Sequence, residues 1–479
     1  MTTYQNLGVY VEENFTVPTL VQEVETALPA FVGYTEKASR RIPGDLILVP
    51  TKIHSMKDFE NHFGYPYDNE VEIEVATDAS GSYVLSIERE PSLQYLLYYS
   101  LRIYFENGGE TCFILSVGTY QYPQQIMLKG ALSGKNFGLL EGLNRLVEVS
   151  DVTLLVIPEA VKLPSSDYAT LTQSALRQCY TLGNRFAIFD LYGGDLVEPD
   201  LLQCRAFYGS EYLNFGSAYY PFVRTSMGYC VNETESNVKI IHGGELSALR
   251  ELKDGNKPLY RFVRKFLQER FVTLPPCGAM AGVYVTTDKN RGVWKSPVNT
   301  NLFGITEPVV TIDNRKQEIL MDDSDSGKSI NSIRSFTGKG IQMCGARTLA
   351  GNDNEWRYIP VNRFLIMVRE SLCKSSKWVV FEPNEEATWS KVRAMIENYL
   401  MVKWQEGALA GTYSSVAYYV KCGLGSTMSN QDIQAGRIVI EVGLAMLRPA
   451  EFTVFRFSHQ LKKNNEVDSN GSSISTNLL

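Results

Sequence analysis

Residues 152–158 read VTLLVIP, an unbroken apolar run. Such a run does not alternate, so it cannot be a strand with one wet face. It fits a strand buried on both sides, and a strand of that kind needs helices above and below it. The neighbouring sequence supplies them. Tyr168, Leu171, Ala175, Cys179 and Leu182 fall on one helical face over 166–182, and Gly183-Asn184 stops the helix. Phe186 to Leu191 is the next strand, Pro199 to Leu213 the next helix and Ala218 to Val223 the next strand. Strand, helix and strand in this order predict a largely parallel sheet with covering helices.

Elements of the same kind flank this stretch. Residues 27–35 (ALPAFVGYT) read as a buried strand. Residues 71–75 and 83–88 alternate with period two around a turn-rich Asp78 to Ser82, which predicts a hairpin. Leu93, Leu96, Leu97, Leu101, Tyr104 and Phe105 line one helical face, and Asn107-Gly108-Gly109 ends that helix. Thr111 to Val117 is another buried strand, and Leu259 to Phe271 a helix closed by Pro275-Pro276. Residues 288–340 are rich in Gly, Asn, Asp and Ser and are the least regular part. Helices are expected near 361–373 and 387–406, and strands at 415–422, 437–446 and 451–457. The polar stretch from Lys462 to Leu479 reads as a flexible tail. Val9, Val11 and Phe15 alternate with polar neighbours before Val17-Pro18 breaks the run. This terminal strand pairs either within its own chain or with another.

Composition narrows the function classes. With 479 residues, roughly three domains of about 150 residues are expected. Net charge is −7, a poor match to a general nucleic-acid binder. Only 4 His occur, which restricts His-based catalysis and His metal sites. The 8 Cys include no C-x-x-C, so they read as buried reduced thiols. The N-terminal MTTYQNLGVYVEENF lacks basic and apolar signal-peptide regions, and no run of about 18 apolar residues spans a membrane.

Three chemical motifs fail on inspection. Gly327-Lys328-Ser329 ends like a phosphate loop, but Asp322 stands where the loop needs glycine, and nearby Asp323 and Asp325 would repel phosphate. Asp190, His242 and Cys277 follow a hydrolase order, yet triads are defined by geometry rather than order. Asn232-Glu233-Thr234 is a glycosylation acceptor without an export signal. The helix at 387–406 is more informative. Trp389, Val392, Met395, Ile396, Tyr399, Leu400 and Trp404 form one arc. Ser390, Lys391, Ala394, Glu397, Asn398, Met401 and Gln405 form the opposite arc, either a solvated back or a partner-facing surface.

The closing third carries a family pattern. FEPNEEATWSKVRAMIENYLMVKWQEGALAG (Phe381 to Gly411) resembles the C-terminal domain of contractile tail sheath proteins, with its FEPN, its Trp and its W-x-x-G-A-L-x-G ending. DIQAGRIVIEVGLAMLRPAEFTVFRF (Asp432 to Phe457), GARTLAGNDNEWRYIPVNRFL (Gly345 to Leu365) and CGAMAGVYVTTDKNRGVWKSPVN (Cys277 to Asn299) continue the match. Leu7 to Glu13 and Pro29 to Ala38 resemble the family's opening. Leu7, Cys277, Cys344 and the Asp322–Asp325 cluster depart from the pattern without disturbing its C-terminal part.

The resemblance implies a multidomain α/β and α+β chain. Its parts would be an N-terminal linking arm (1–20), an N-terminal region with a hairpin insert (21–101), a subtilisin-like α/β domain (102–345), a C-terminal sheath domain (346–460) and a flexible tail (461–479). It implies a non-enzymatic subunit that needs no cofactor or metal. Such subunits stack as six-membered rings around an inner tail tube, alone or with sister sheath subunits, and contact baseplate and terminal cap proteins. They bind no nucleic acid and insert in no membrane. Val9, Tyr10, Val11, Glu12 and Phe15 would pair with a neighbour's sheet, as would Glu451, Phe452, Val454, Phe455 and Phe457. Lys391, Ala394, Glu397, Asn398, Met401 and Gln405 would face the tube. The protein would be made in the cytoplasm and assembled into a phage tail, tailocin or injection particle.

Overall fold

The computed structural model describes residues 20–77, 83–87, 93–121, 125–130, 137–229, 238–242 and 245–461. The chain divides into two compact units, residues 25–366 and residues 1–24 with 367–479.

The larger unit begins with β1 (Pro29–Thr35), β2 (Thr51–Ile53), α1 (Met56–Phe63), β3 (Val71–Thr77) and β4 (Tyr83–Ser86). It continues with α2 (Leu97–Glu106), β5 (Cys112–Thr119), α3 (Leu139–Arg145), β6 (Leu154–Val156), α4 (Ser165–Leu182), β7 (Phe186–Asp190), α5 (Leu201–Ala206) and β8 (Gly216–Tyr220). Next come β9 (Val223–Gly228), β10 (Val238–His242), β11 (Glu245–Ala248), α6 (Leu249–Gly255), α7 (Lys257–Gln268), β12 (Phe271–Leu274) and α8 (Cys277–Arg291). It closes with β13 (Ile305–Pro308), α9 (Asn314–Met321), β14 (Ile330–Phe336), β15 (Gly340–Cys344) and the start of α10 (Ile359–Ser375).

Eight strands form the main sheet in the order β15-β14-β8-β7-β6-β1-β5-β2. The six central strands run parallel, and the two edge strands, β15 and β2, run antiparallel to their neighbours. Every residue of β1, β6, β7 and β8 is buried, as expected for strands covered on both faces. Phe31 of β1 points into a core shared with Leu97, Leu101 and Tyr104 of α2 and Ala281 and Tyr284 of α8. Its neighbours Ala30 and Val32 point to the opposite core, with Leu139 and Leu143 of α3 and Leu171 and Ala175 of α4. Burying apolar surface on both faces is worth about 25 cal/mol per Å², so these two layers dominate the unit's stability.

Close approach explains part of the CGAMAG sequence. A Cβ on Gly278 would lie 2.3 Å from the Ser100 carbonyl oxygen, and one on Gly282 2.6 Å from that of Tyr104. These two glycines let α8 touch the backbone of α2. The N-terminus of α2 has no capping side chain of its own. Glu159 supplies the acceptor from elsewhere, taking the Leu96 and Leu97 N–H at 3.1 and 3.2 Å and the Tyr34 N–H at 3.0 Å. Burial pushes the Glu159 carboxyl up to about 7, against these three donors.

The predicted hairpin pairs Glu74 with Ser86 and Thr77 with Tyr83, and its turn at 78–82 lies outside the described residues. Its strand β3 also pairs in parallel with β10, giving a second sheet in the order β11-β10-β3-β4. Two stretches differ from expectation. The helix expected over 199–213 is only α5, because the chain turns through Gly209 and Tyr212, both at positive φ. The stretch 288–340 is more regular than its composition indicates, containing the end of α8, α9 and β14. Local polar composition hides strands that tertiary pairing stabilises.

The smaller unit contains the rest of α10, then α11 (Glu386–Gln405), α12 (Ser414–Ala417), β16 (Tyr418–Lys421), α13 (Asn430–Gln434), β17 (Arg437–Leu444) and β18 (Thr453–Gln460). Its antiparallel sheet runs β16-β17-β18. Within this unit the upstream segment is tied down by Ser375, whose hydroxyl accepts the Gln22 N–H at 2.9 Å, and by Ser371, which accepts that of Val24 at 3.0 Å.

Candidate functional site

The helix α11 separates its two arcs as its sequence predicts. Trp389, Val392, Met395, Ile396, Tyr399 and Leu400 are buried, and Trp404 is half-buried. Lys391, Ala394, Glu397, Asn398, Met401 and Gln405 are all exposed. Both tryptophans are also anchored by hydrogen bonds. Trp389 Nε1 donates to Asn384 Oδ1 at 2.7 Å, and Asn384 Nδ2 reaches the Arg437 carbonyl at the start of β17 at 3.3 Å. Trp404 Nε1 donates to the Gly411 carbonyl at 2.9 Å. The FEPN and W-x-x-G-A-L-x-G segments therefore hold the ends of the helix in place.

Lys403 was not among the predicted site residues. It lies on the buried side and pairs with Glu23 at 2.5 Å and Glu406 at 2.9 Å. A cation three residues past the buried Leu400, on an apolar stripe, is the sequence signal for such a pair.

The sheet of this unit presents two different faces. Phe455 and Phe457 point inward, are buried and stack at 6.2 Å. Outward, Glu441 lies opposite Lys421 on one side and Arg456 on the other. Burial raises the carboxyl of Glu441, but hydrogen bonds from Arg456, Lys421 and Tyr419 outweigh it and hold the group below the usual range. Val454 is 40% exposed on the same face as Arg456. Glu451 and Phe452 precede β18, because the chain turns through Ala450 at φ 61°. Within this chain β18 pairs with β17 along its whole length and is an edge strand among the described residues. Val9, Tyr10, Val11, Glu12 and Phe15 lie outside the described residues.

The rejected chemistry can be placed as well. Asp190 and Cys277 do meet: the Cys277 N–H donates to Asp190 Oδ1 at 2.7 Å. Both are buried, and burial together with Asp190 pushes the Cys277 thiol well up, away from the thiolate a nucleophile needs. Burial likewise pushes the Asp190 carboxyl up to about 7. His242 belongs to β10, in the other sheet. The Asp190–Cys277 contact instead fixes the start of α8 to the end of β7. Lys328 is 7% exposed, and its Nζ donates to the Arg205 carbonyl at 2.8 Å. Arg205 returns a bond from Nε to the Lys328 carbonyl and pairs with Asp323 at 3.3 Å. This is an internal clasp with no opening for phosphate. The seven described cysteines are free thiols. Among the described residues, no acid, His or Cys group is arranged to hold a metal, and no helix is long and apolar enough to cross a membrane.

Comparison with known proteins agrees with this geometry. Residues 351–460 match the phage tail sheath C-terminal domain. The tail sheath protein of Vibrio phage KVP40 is 25% identical over 150 residues, which is 31% of this chain and 21% of that protein's length. The sheath complex of an extracellular contractile injection system, PVC, in the contracted state is 27% identical with a TM-score of 0.62. That match covers 98% of this chain and 99% of its counterpart. A chain from the baseplate of the anti-feeding prophage is 27% identical with a TM-score of 0.61, covering 98% and 100%. Residues 351–460 thus carry the pattern of the phage tail sheath C-terminal domain, and nearly the whole chain is similar to solved contractile sheath chains.

Proposed function

We propose that this chain is the structural subunit of a contractile sheath. Copies stack as six-membered rings around an inner tail tube, and contraction drives the tube through a target envelope. Likeness to a contracted sheath over nearly the full length carries this reading. We read the α/β body, residues 102–345 with β1 added from upstream, as the subtilisin-like sheath domain without catalysis. The buried Asp190–Cys277 pair supports a mechanical role over an enzymatic one.

The arm at Val9 to Phe15 adds as a strand to a neighbouring subunit's C-terminal sheet. The strand carrying Phe455 and Phe457 takes part in the same linkage, its neighbours Glu451, Phe452 and Val454 included. Strand addition supplies directional main-chain hydrogen bonds while linkers let the bodies rotate. The exposed arc from Lys391 to Gln405 faces the tube in the extended state. Contraction draws its free energy from the difference in contacts between two packings. Baseplate and cap proteins terminate the polymer.

Deleting residues 1–15 tests the linkage: electron microscopy should find folded monomer and no long sheaths, and normal sheaths would refute it. A second reading, a static baseplate component, is favoured by the anti-feeding prophage match. Long narrow and short wide cylinders in one preparation would reject it.

A further inference from the structure

The small module built from β3, β4, β10, β11, α6 and α7 has a distinct charge layout. Its sheet buries Val71, Ile73, Val75, Val238 and Ile240 against Leu259, Tyr260, Val263 and Leu267 of the helices. The outer faces of the two layers then carry opposite charge. On the sheet side, Glu70, Glu72 and Glu74 are exposed, and Lys239 among them bridges Glu70 at 3.4 Å and Glu72 at 3.7 Å. These four residues together carry a net −2. On the helix side, Arg250, Lys253, Lys257, Arg261, Arg264 and Lys265 are exposed, against exposed Glu251 and Glu269, a net +4 among these residues.

The two faces lie on opposite sides of one two-layer module, so they cannot meet within one chain. In a polymer the same module recurs in every subunit. We propose that the acidic sheet face, around Glu72 and Glu74, docks on the basic helix face, around Arg261 and Arg264, of a second copy of this chain. This rests on the reading that the chain polymerises. The contact is head-to-tail: it uses two different patches and therefore propagates rather than closing a dimer. It also answers a demand set by a net charge of −7 per subunit, since like-charged copies stack only where opposite patches are brought together. The charge pattern is not accidental on α7. Its buried residues occupy one arc and its cations the opposite one, so the basic face is presented whole.

Charge swapping tests the contact in the full chain. Glu72→Lys with Glu74→Lys makes both faces basic; Arg261→Glu with Arg264→Glu makes both acidic. Each double variant should cut the yield of sheaths, counted by electron microscopy, about tenfold in low-salt buffer, and salt should weaken the wild-type contact. The fourfold variant carrying both swaps should restore sheaths, because it regains complementary faces. Mixing the two double variants should also restore them, with each alternating along the lattice. Loss of sheaths in the acidic-face variant with no rescue in the fourfold variant overturns the proposal. So does an effect confined to Arg261 and Arg264, which would mean that the basic face meets some other anion. Wild-type-like sheaths from every variant sink the face-to-face contact alone, whereas a wild-type chain that never forms sheaths sinks the polymer reading with it.

Discussion

The junction between β7 and α8 and the helix α11 place polar groups in opposite ways. At the junction buried polar groups are matched within the chain. Asp190 accepts the Cys277 N–H. Further along α8, Arg363 bonds to Asp288 from both terminal nitrogens and lies 4.7 Å over the Tyr284 ring. On α11 Trp389, Val392, Met395, Ile396, Tyr399 and Leu400 are inward, and Lys391, Glu397, Asn398 and Gln405 are outward. The first arrangement holds a shape. The second leaves a charged surface that contributes little to folding and is available to a partner.

The contrast predicts where substitutions hurt. Asp288→Ala would leave Arg363 buried at 5% exposure without its counter-ion. The expected loss is about 3–5 kcal/mol in denaturant unfolding, and a loss under about 1 kcal/mol would erase the distinction.

Next in size is a pH effect at Asp190. Its folded carboxyl titrates at about 7, above the ordinary 3.8. Its contribution is therefore complete below about pH 4 and is lost as pH rises through 7, up to about 4 kcal/mol in all. Asp190→Asn keeps an acceptor for the Cys277 N–H and removes the titration. The difference in unfolding free energy between pH 5 and 8 should shrink in the variant, leaving the part that Glu159 contributes. Equal slopes in both would break the assignment.

In the smaller unit, Leu400→Ala should cost about 3 kcal/mol, since the side chain is fully buried. Glu397→Lys, three residues earlier on the exposed arc, should change stability by less than about 0.5 kcal/mol. The same variant should lower co-purification with the tube protein. Unchanged co-purification would make the arc an ordinary solvated surface.

Much of this was legible because burial leaves periodic traces. The run at 152–158 announced a strand covered on both faces, and β6 is one. The arcs of α11 could be drawn residue by residue, because a helix with one buried side must place apolar residues every three or four positions. Other features left no local trace. The basis for β14 lies in its pairing with β8, more than a hundred residues upstream, and its Ser- and Asn-containing sequence carries no period-two alternation. Glu159 looked like any surface acid, yet it caps a helix more than fifty residues away in sequence.

The sequence by itself determined the class of the body, the faces of α11 and the motifs that mark the C-terminal domain. Each is a property of neighbouring residues: periodicity, turn chemistry and short patterns. Tertiary structure alone decided that β1 sits inside the main sheet between β6 and β5. It also brought Asp190 to Cys277 as a structural tie, and it set acidic and basic faces on opposite sides of one small module. Those outcomes depend on which distant segments satisfy one another's hydrogen bonds and apolar surface, and no local window of the chain contains that information.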